Sequence, residues 1–197
     1  MQQEWIASLS KWLPRIATEY NGCLSIIDFG GSLGSTYFAM RGGLSSLPNV
    51  EWSIIEQPHF VEQGKSLIAD DVLKFYQSVE DCLIERNPSI ILLSGVIQYI
   101  EKPYLLLEKL IAYNFDYFII DRTPFIKGEN DRLTAQYVPP EIYPASYPAW
   151  FFSLENFLQP FMSTYELIDD FDSLDRANIS SAYKGFVFKN RQTGAFL

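Results

Sequence analysis

The chain has 197 residues, of which 48% are hydrophobic and 20% are charged, a balance that excludes wholesale disorder and allows one domain with a substantial core. Its formal net charge of −9, without any cluster of Lys and Arg, argues against a nucleic-acid substrate, because an acidic surface repels phosphate backbones. The first residues lack the layout of a signal peptide, and charged side chains interrupt the apolar region 104–120. We therefore expect a cytoplasmic protein without a membrane span.

Short β-branched, apolar runs alternate with segments that have the apolar spacing of helices. An amphipathic helix is predicted within residues 1–22, and a further clear helix over 103–113. Ser78 and Asp81 are spaced as a capping box that opens another helix. The predicted strands are 24–29, 52–56, 73–76, 90–94 and 117–121. Five alternations of this kind predict an α/β fold with a mostly parallel sheet and helices on both faces.

The alternation ends after residue 121. Residues 122–152 are rich in Pro, Tyr and Trp and have no clear period, so we expect an irregular aromatic insertion on the substrate side. A helix capped by Ser153 is predicted over 153–161, and an antiparallel pair of strands over 165–171 and 183–189. Without a linker or a repeat, residues 1–197 are expected to form a single domain. Cys23 and Cys82 are expected to be buried free thiols.

A glycine-rich loop follows the first predicted strand. Loops of this kind, between a strand and a helix, hold adenosine-containing cofactors in α/β proteins. Glu56, at the end of the second predicted strand, stands where a carboxylate accepts both hydrogen bonds from a ribose diol. The loop has the pattern D-x-G-x-S-x-G and contains Asp28, Gly30, Gly31, Ser32 and Gly34.

The acid in this loop discriminates between cofactors. Asp28 would repel a pyrophosphate, whereas it suits a cofactor that carries an ammonium and a sulfonium group. The dinucleotide pattern G-x-G-x-x-G also fails here. The loop therefore favours S-adenosylmethionine (SAM) over NAD. An NAD-linked reductase or epimerase is further disfavoured because no Tyr-x-x-x-Lys pair follows the fourth predicted strand.

Seven segments, spread over nearly the whole chain, carry a family resemblance: DFGGSLGSTYF (28–38), WSIIEQPHFV (52–61), LKFYQSVEDCL (73–83), ILLSGVIQYIEKPY (91–104), IIDRTPF (119–125), YPASYPAWFFS (143–153) and YKGFVFK (183–189). With them, the chain resembles the class I SAM-dependent methyltransferases. More narrowly, it resembles a largely uncharacterised family of methyltransferases found among bacterial surface-polysaccharide genes. The resemblance implies a Rossmann-like, seven-stranded, mostly parallel sheet with an antiparallel last strand, and SAM as the cofactor.

The resemblance also implies a set of cofactor contacts. Ser32 departs from the family pattern, which has glycine at this middle position, and it is tolerable if its side chain points away or caps the helix. The implied contacts are Asp28 and Gly30, Gly31, Ser32 and Gly34 to the methionine moiety, Ser94 and Gly95 beside the sulfonium, Glu56 to the ribose, and Gln57 and Ser78 beside the adenine.

The end of the fifth predicted strand is the best candidate for catalysis. In open α/β sheets ligands lie outside the carboxyl ends of the strands, so Asp121 and Arg122 are expected to face the cleft. Asp121 would be the general base for a hydroxyl acceptor, and Arg122 would bind an anionic group of that acceptor. A structural ion pair is the alternative for these two residues. His59, which follows Glu56 closely and so belongs beside the adenine, and Tyr147 are the next candidates for the base.

Aromatic residues of the insertion are candidates for acceptor binding. Tyr143, Tyr147, Trp150 and Phe151 would form a flat wall with hydroxyls, which suits a sugar or another amphiphilic molecule, although packing in the core is the alternative. One histidine and scattered acids predict no metal site. The Asn/Asp-Pro-Pro-Tyr box of enzymes that methylate amides or nucleobase amines is absent after the fourth strand, where Ser94 and Gly95 stand instead.

These observations lead to three hypotheses. The first is a SAM-dependent methyltransferase that acts at oxygen on a small molecule or a sugar unit, with a possible relation to surface polysaccharides. The second is a degenerate methyltransferase fold that serves as a binding or scaffolding protein. The third is the NAD-linked reductase or epimerase. The sequence does not predict the identity of the acceptor or the oligomeric state.

Overall fold

A computed structural model describes residues 6–138, 140–141 and 144–193. The chain forms two compact units. The first comprises Met1–Ser94 and Tyr117–Ile119, and the second comprises Gly95–Asp116 and Ile120–Leu197. Residue Tyr143 of the predicted aromatic wall lies outside the described residues.

The first unit contains a parallel sheet in the order β3-β2-β1-β4. Its strands are β1 (Cys23–Phe29), β2 (Asn49–Ile55), β3 (Leu73–Tyr76) and β4 (Ile90–Ser94). Its helices are α1 (Ala7–Glu19), α2 (Ser35–Leu44), α3 (Pro58–Leu67) and α4 (Val79–Glu85). β4 is buried up to its last residue and β2 is buried over its last four, and these buried stretches are mostly apolar, as expected of a parallel sheet that is covered on both faces.

The carboxyl ends of the first three strands lie level with one another. Phe29, the last residue of β1, pairs with Ile55, the last residue of β2, and Ile55 pairs with Tyr76, the last residue of β3. The Gly30 N–H then donates to the Ile55 carbonyl at 2.9 Å, and the Glu56 N–H donates to the Tyr76 carbonyl at 3.1 Å. This register brings the glycine-rich loop and Glu56 to the same edge of the sheet.

A buried arginine connects helix α4 to the sheet of this unit. Arg86 is 8% exposed and follows α4. Its guanidinium donates to the carbonyls of Trp52, Asp71 and Val72 and to Oγ of Ser53. A single side chain thereby joins α4 to β2 and to the connection that precedes β3.

The second unit is built around β5 (Tyr117–Ile126), whose first three residues belong to the first unit. Its other strands are β6 (Arg132–Val138), β7 (Ala145–Ser153), β8 (Tyr165–Asp172) and β9 (Ala182–Asn190), and its helices are α5 (Pro103–Ala112) and α6 (Leu154–Leu158). β9 pairs with β5 and, antiparallel, with β8, whereas β7 pairs in parallel with the end of β5 and antiparallel with β6.

Aromatic rings fill the core of the second unit. Phe161 and Phe188 stack with ring centroids 4.3 Å apart, and Phe125 meets Phe157 and Phe186 edge to face. All five of these rings are buried. Such ring pairs contribute about 0.5–1.5 kcal/mol each beyond the burial of their area.

The predicted α/β fold with a mostly parallel sheet is confirmed. The strands predicted in β1 to β5 and in β8 and β9 are all present, and the helix at 103–113 is present as α5. The Ser78 cap is confirmed as well, because its Oγ accepts from the Asp81 N–H at 3.1 Å. No helix of the described residues is long and apolar enough to cross a bilayer.

The prediction of an irregular stretch over 122–152 is wrong, because the described part of this segment forms the antiparallel hairpin β6–β7. This hairpin raises the number of strands among the described residues from the expected seven to nine. Pro148 masked the strand pattern of β7, since proline is disfavoured inside a sheet. It is tolerated because β7 pairs with β5 only at Phe152 and Ser153, so that at Pro148 the strand is paired on the β6 side alone.

Two smaller expectations also fail. Ser153 precedes α6, yet its side chain makes no capping hydrogen bond, and α6 ends at Leu158, where a 3₁₀ turn over Gln159–Phe161 follows. Cys23 is exposed rather than buried, because it is the first residue of β1, whereas Cys82 is buried as expected.

Candidate functional site

The loop after β1 has an alternating backbone conformation. Gly30, Ser32 and Gly34 all have positive φ, at 72°, 52° and 89°. These are the three positions that carry the motif, so the motif spacing reflects a turn that needs the left-handed region at every second residue. The Gly34 N–H donates to the Gly31 carbonyl at 2.9 Å, and α2 begins at once with Ser35.

Glu56 ties this loop to the start of α3. Its Oε1 accepts from the Ser32 N–H at 3.0 Å, and its Oε2 accepts from the Gln57 N–H at 2.8 Å. Glu56 is half-buried, and Gln57 is exposed at the position before Pro58, the first residue of α3. Each carboxylate oxygen can accept more than one hydrogen bond, so both retain capacity for a ligand.

Asp28 lies beneath the loop. It is 1% exposed, and its Oδ2 accepts from the indole N–H of Trp52 at 3.1 Å. A Cβ added to Gly31 would lie 2.7 Å from this same Oδ2, so only glycine fits over the carboxylate. The partner Trp52 was not foreseen from the sequence. The contacts of Asp28 in the structure are with the protein, and its predicted contact with a cofactor stays a prediction.

The remaining predicted residues of the first unit differ in their surroundings. Oγ of Ser78 serves the cap of α4, whereas Oγ of Ser94, at the end of β4, is buried and has no hydrogen-bond partner within the described chain. His59 is exposed on the first turn of α3, with its ring 4.3 Å from that of Phe60. Ser94 therefore presents a buried, unsatisfied polar atom at the end of a strand, whereas His59 lies exposed on a helix.

In the second unit, Asp121 is 1% exposed, and its two carboxyl oxygens differ. Oδ1 accepts from the Arg122 N–H at 2.8 Å and from the Ser173 hydroxyl at 2.9 Å. Oδ2 is buried and has no hydrogen-bond partner among the residues that the structure describes. Burial raises the pKa of Asp121, although these two hydrogen bonds act in the opposite direction. Ser173, which follows β8, was missed by the sequence analysis because no local motif connects it with Asp121.

Arg122 packs against Gly95 in the same unit. The Gly95 N–H donates to the Asp121 carbonyl at 2.9 Å, and a Cβ added to Gly95 would lie 2.6 Å from Nη2 of Arg122. Gln98, 4% exposed, donates from Nε2 to the Arg122 carbonyl at 3.3 Å. The structure therefore brings together Gly95, Asp121, Arg122 and Gln98. The sequence analysis named the first three for separate roles and missed Gln98.

The described part of the aromatic wall contains two further polar contacts. Gln136 of β6 donates from Nε2 to the Tyr147 hydroxyl at 3.4 Å and accepts at Oε1 from the Tyr99 hydroxyl at 3.1 Å. The rings of Tyr99 and Tyr147 meet edge to face at 5.2 Å. Trp150 is half-buried on β7. Tyr99 and Gln136 were not predicted, because their placement depends on the hairpin that the sequence analysis missed.

Within the described residues, no three His, Cys, Asp or Glu side chains are grouped so that they could hold a metal ion.

Comparisons with known proteins bear on the fold. No protein-family model and no curated protein sequence matches the chain. Among solved structures, the chain is similar to the N-terminal domain of EvdMO1, solved with SAH and D-fucose, with a TM-score of 0.63 and 12% identity over 97% of this chain and 85% of that chain. The fold is that of SAM-dependent methyltransferases.

Two further structures share this fold. Magnesium protoporphyrin IX methyltransferase (ChlM) from Synechocystis PCC 6803, solved with SAM, aligns with a TM-score of 0.59 and 11% identity over 95% of this chain and 79% of that chain. The mitomycin 7-O-methyltransferase MmcR aligns with a TM-score of 0.57 and 12% identity over 93% of this chain and 54% of that chain. At such low identity the likeness establishes the fold and leaves the activity to the residues of this chain.

Proposed function

We propose that the protein is a SAM-dependent methyltransferase that methylates an oxygen of a small molecule or a sugar unit. One observation carries the proposal: in a methyltransferase fold, the left-handed loop at Gly30, Ser32 and Gly34 is joined to Glu56 at the carboxyl edge of the sheet. This edge is where open α/β sheets bind their ligands.

The residues of the first unit fit the adenosine and methionine parts of SAM. The loop lets the backbone approach a ligand closely, and Glu56 has free acceptor capacity on both oxygens for a ribose diol. Oγ of Ser94 is a buried polar atom that lacks a partner in the described chain, as expected of a group that a ligand satisfies. Gln57 and Ser78 are proposed to border the adenine. Asp28 is proposed to attract the positively charged methionine part of SAM from below the loop. Its carboxylate, packed against Gly31, is also proposed to hold the loop in position.

When bound, SAM supplies a methyl group that its sulfonium makes strongly electrophilic. The protein must then position a hydroxyl, exclude water and take up the hydroxyl proton. We assign the proton to Oδ2 of Asp121, which is buried and has no partner among the described residues, while Ser173 and the Arg122 N–H hold Oδ1. Burial raises the pKa of Asp121, which makes its carboxylate a stronger base.

The other candidate bases are less well placed. His59 is exposed on the surface of α3, and the Tyr147 hydroxyl already accepts from Gln136. Arg122 and the aromatic residues Tyr147 and Trp150 are assigned to acceptor binding. Tyr143 keeps that role as a prediction from the sequence.

An oxygen acceptor is supported by the neighbours in fold. MmcR is named as a 7-O-methyltransferase, and the EvdMO1 domain was solved with a sugar, D-fucose. We further propose that the acceptor is related to surface polysaccharides, on the basis of the family resemblance. A cytoplasmic location is proposed on the basis of the composition of the chain.

Ligand binding tests this function directly. We expect SAH to raise the melting temperature of the purified protein and NAD to leave it unchanged, because only a ligand that binds the native state stabilises it. Glu56→Ala should weaken SAH binding by about tenfold or more through lost charge-assisted hydrogen bonds, whereas Glu62→Ala, an exposed glutamate of α3, should not. Stabilisation by NAD alone would support a reductase, and stabilisation by neither ligand would support a scaffold.

A further inference from the structure

A cavity of about 390 Å³ lies in the second unit, on the hairpin side. Its walls are residues 134–137 of β6, Phe151 of β7, residues 176–179 of the connection from β8 to β9, and Tyr183 of β9. This volume is within the range of small-molecule sites, about 300–1,000 Å³. The cavity is not among the features that the sequence analysis predicted, because it requires the β6–β7 hairpin.

The cavity combines three chemistries. Phe151 and Tyr183 meet edge to face at 6.4 Å and offer aromatic carbon to a ligand. Gln136 and Asn178 contribute side-chain amides, which donate and accept hydrogen bonds. Arg176 contributes a guanidinium that makes no ion pair or hydrogen bond within the part of the chain that the structure describes. Aromatic faces with amides suit a sugar, and an unpaired guanidinium suits a carboxylate or a phosphate.

Hydrogen bonds of Ser173 connect this cavity to Asp121. The Ser173 hydroxyl donates to Oδ1 of Asp121 at 2.9 Å, and the Ser173 N–H donates to the carbonyl of Tyr183, in the cavity wall, at 2.8 Å. The cavity wall and the carboxylate are therefore joined through one residue of the second unit.

The charge of the cavity wall selects among ligands. Arg176 is the one charged side chain among the described residues that line the cavity. An anionic group of a ligand is therefore expected to pair with its guanidinium. Because the protein has a net charge of −9, an anionic ligand is repelled by most of its surface, and Arg176 provides the local positive charge that such a ligand needs.

We propose that this cavity binds the methyl acceptor, and that the acceptor is an anionic sugar whose carboxylate or phosphate pairs with Arg176 while its ring lies against Phe151 and Tyr183. This inference rests on the proposed function, since it names the substrate class of the same enzyme. It makes Arg176, rather than Arg122, the residue that selects for the anion. It also makes Phe151 and Tyr183, rather than Tyr147 and Trp150, the aromatic residues that contact the sugar ring.

The test compares three sugars that share one ring. D-Glucuronate, D-glucose 6-phosphate and D-glucose are titrated by calorimetry into the full-length protein in the presence of saturating SAH. We expect at least one of the two anions to bind about tenfold tighter than D-glucose, the worth of one charge-assisted hydrogen bond. Preference for the uronate or for the phosphate then identifies which anion the cavity takes.

Variants assign that preference to its residue. Arg176→Gln should abolish the preference, Arg176→Lys should retain part of it, and Arg132→Gln, an exposed arginine of β6 outside the cavity wall, should leave it intact. Equal binding of all three sugars, absence of sugar binding, or a preference that survives in Arg176→Gln would overturn the inference.

SAH binding separates this inference from the function on which it rests. If SAH binds the wild-type protein and the sugars do not discriminate, the inference fails and the proposed function stands. If SAH does not bind, both fail. All three arginine variants should bind SAH as the wild-type protein does, because Arg176 and Arg132 lie in the second unit and the proposed cofactor residues lie almost entirely in the first.

Discussion

The backbone N–H of Ser32 donates a 3.0 Å hydrogen bond to Oε1 of Glu56, and it does so from a left-handed conformation with φ of 52°. The bond joins two positions 24 residues apart, one in the loop after β1 and one directly after β2. The left-handed conformation is strained for a serine, and it directs the Ser32 N–H toward Glu56, the residue proposed to bind the ribose of SAM. The bond uses only the backbone of Ser32, so a glycine at this position would make it equally well.

The first prediction concerns this strain. Ser32→Gly should raise the free energy of unfolding by about 1 kcal/mol, because glycine adopts the left-handed region without the penalty of a Cβ. Urea denaturation measures the change. The matched control is Ser35→Gly at the first residue of α2, which should lower the free energy of unfolding by up to about 1 kcal/mol. A loss of stability in Ser32→Gly as large as in the control would contradict the left-handed assignment.

A second prediction tests the fit of the loop over Asp28. In Gly31→Ala the new Cβ would lie 2.7 Å from the Asp28 carboxylate, which is buried and held by Trp52. We expect a loss of about 1–3 kcal/mol in the free energy of unfolding, as for other overpacked sites, together with weaker SAH binding.

Gly42→Ala provides the control for this substitution. Gly42 lies in α2, and an added Cβ there meets nothing within 4 Å, so the change should stabilise the protein by up to about 1 kcal/mol. If Gly31→Ala were as stable as Gly42→Ala, the carboxylate would not lie directly beneath the loop.

The sequence predicts most of the sheet because its strands are local, continuous apolar runs. β3 and β4 have the predicted bounds, and β1 differs by one residue at its start. The hairpin β6–β7 escapes prediction for a physical reason. β6 alternates between exposed and half-buried residues with few large apolar side chains, and β7 contains Pro148, which only one-sided pairing tolerates.

The candidate site divides in the same way. The turn of the glycine-rich loop and the position of Glu56 at a strand end can be predicted from the sequence, because both depend on short local motifs. The partner of Asp28 is Trp52, 24 residues away, and that of Asp121 is Ser173, 52 residues away. Such pairs depend on the register of strands and on the course of a connection, which the spacing of residue types in the chain does not encode.

A third prediction follows from the buried carboxyl. Burial raises the pKa of Asp121 above its ordinary value of 3.8, so the folded state retains this proton to higher pH than the unfolded state does. The protonated carboxyl therefore favours folding below pH 3.8, and this contribution is lost as the pH rises through the raised pKa. Asp121→Asn lacks the titration. The free energy of unfolding of the wild-type protein, relative to that of Asp121→Asn, should decrease from pH 3.8 to neutral pH.

Urea denaturation of both proteins across that range, at constant ionic strength, measures the difference. Parallel curves for the two proteins would contradict a raised pKa at this position. The same variant addresses catalysis: Asp121→Asn should bind SAH normally and lose turnover, because its amide cannot accept the hydroxyl proton. Full activity in Asp121→Asn would remove Asp121 from the role of base.

The fourth prediction concerns Arg86, whose guanidinium donates to three carbonyls and one hydroxyl in the first unit. Arg86→Met keeps the apolar stem but leaves these buried acceptors without a donor, so we expect a loss of about 2–4 kcal/mol in the free energy of unfolding. Arg86→Lys should recover only part of it, since an ammonium cannot match the planar fork of a guanidinium.

The exposed Arg191 is the control, and Arg191→Met should change the free energy of unfolding by less than about 0.5 kcal/mol. SAH affinity of the folded Arg86→Met protein should equal that of the wild type, because the Arg86 guanidinium bonds to Trp52, Ser53, Asp71 and Val72 and to none of the proposed cofactor residues. A stability change confined to 0.5 kcal/mol would show that water satisfies these carbonyls in its place.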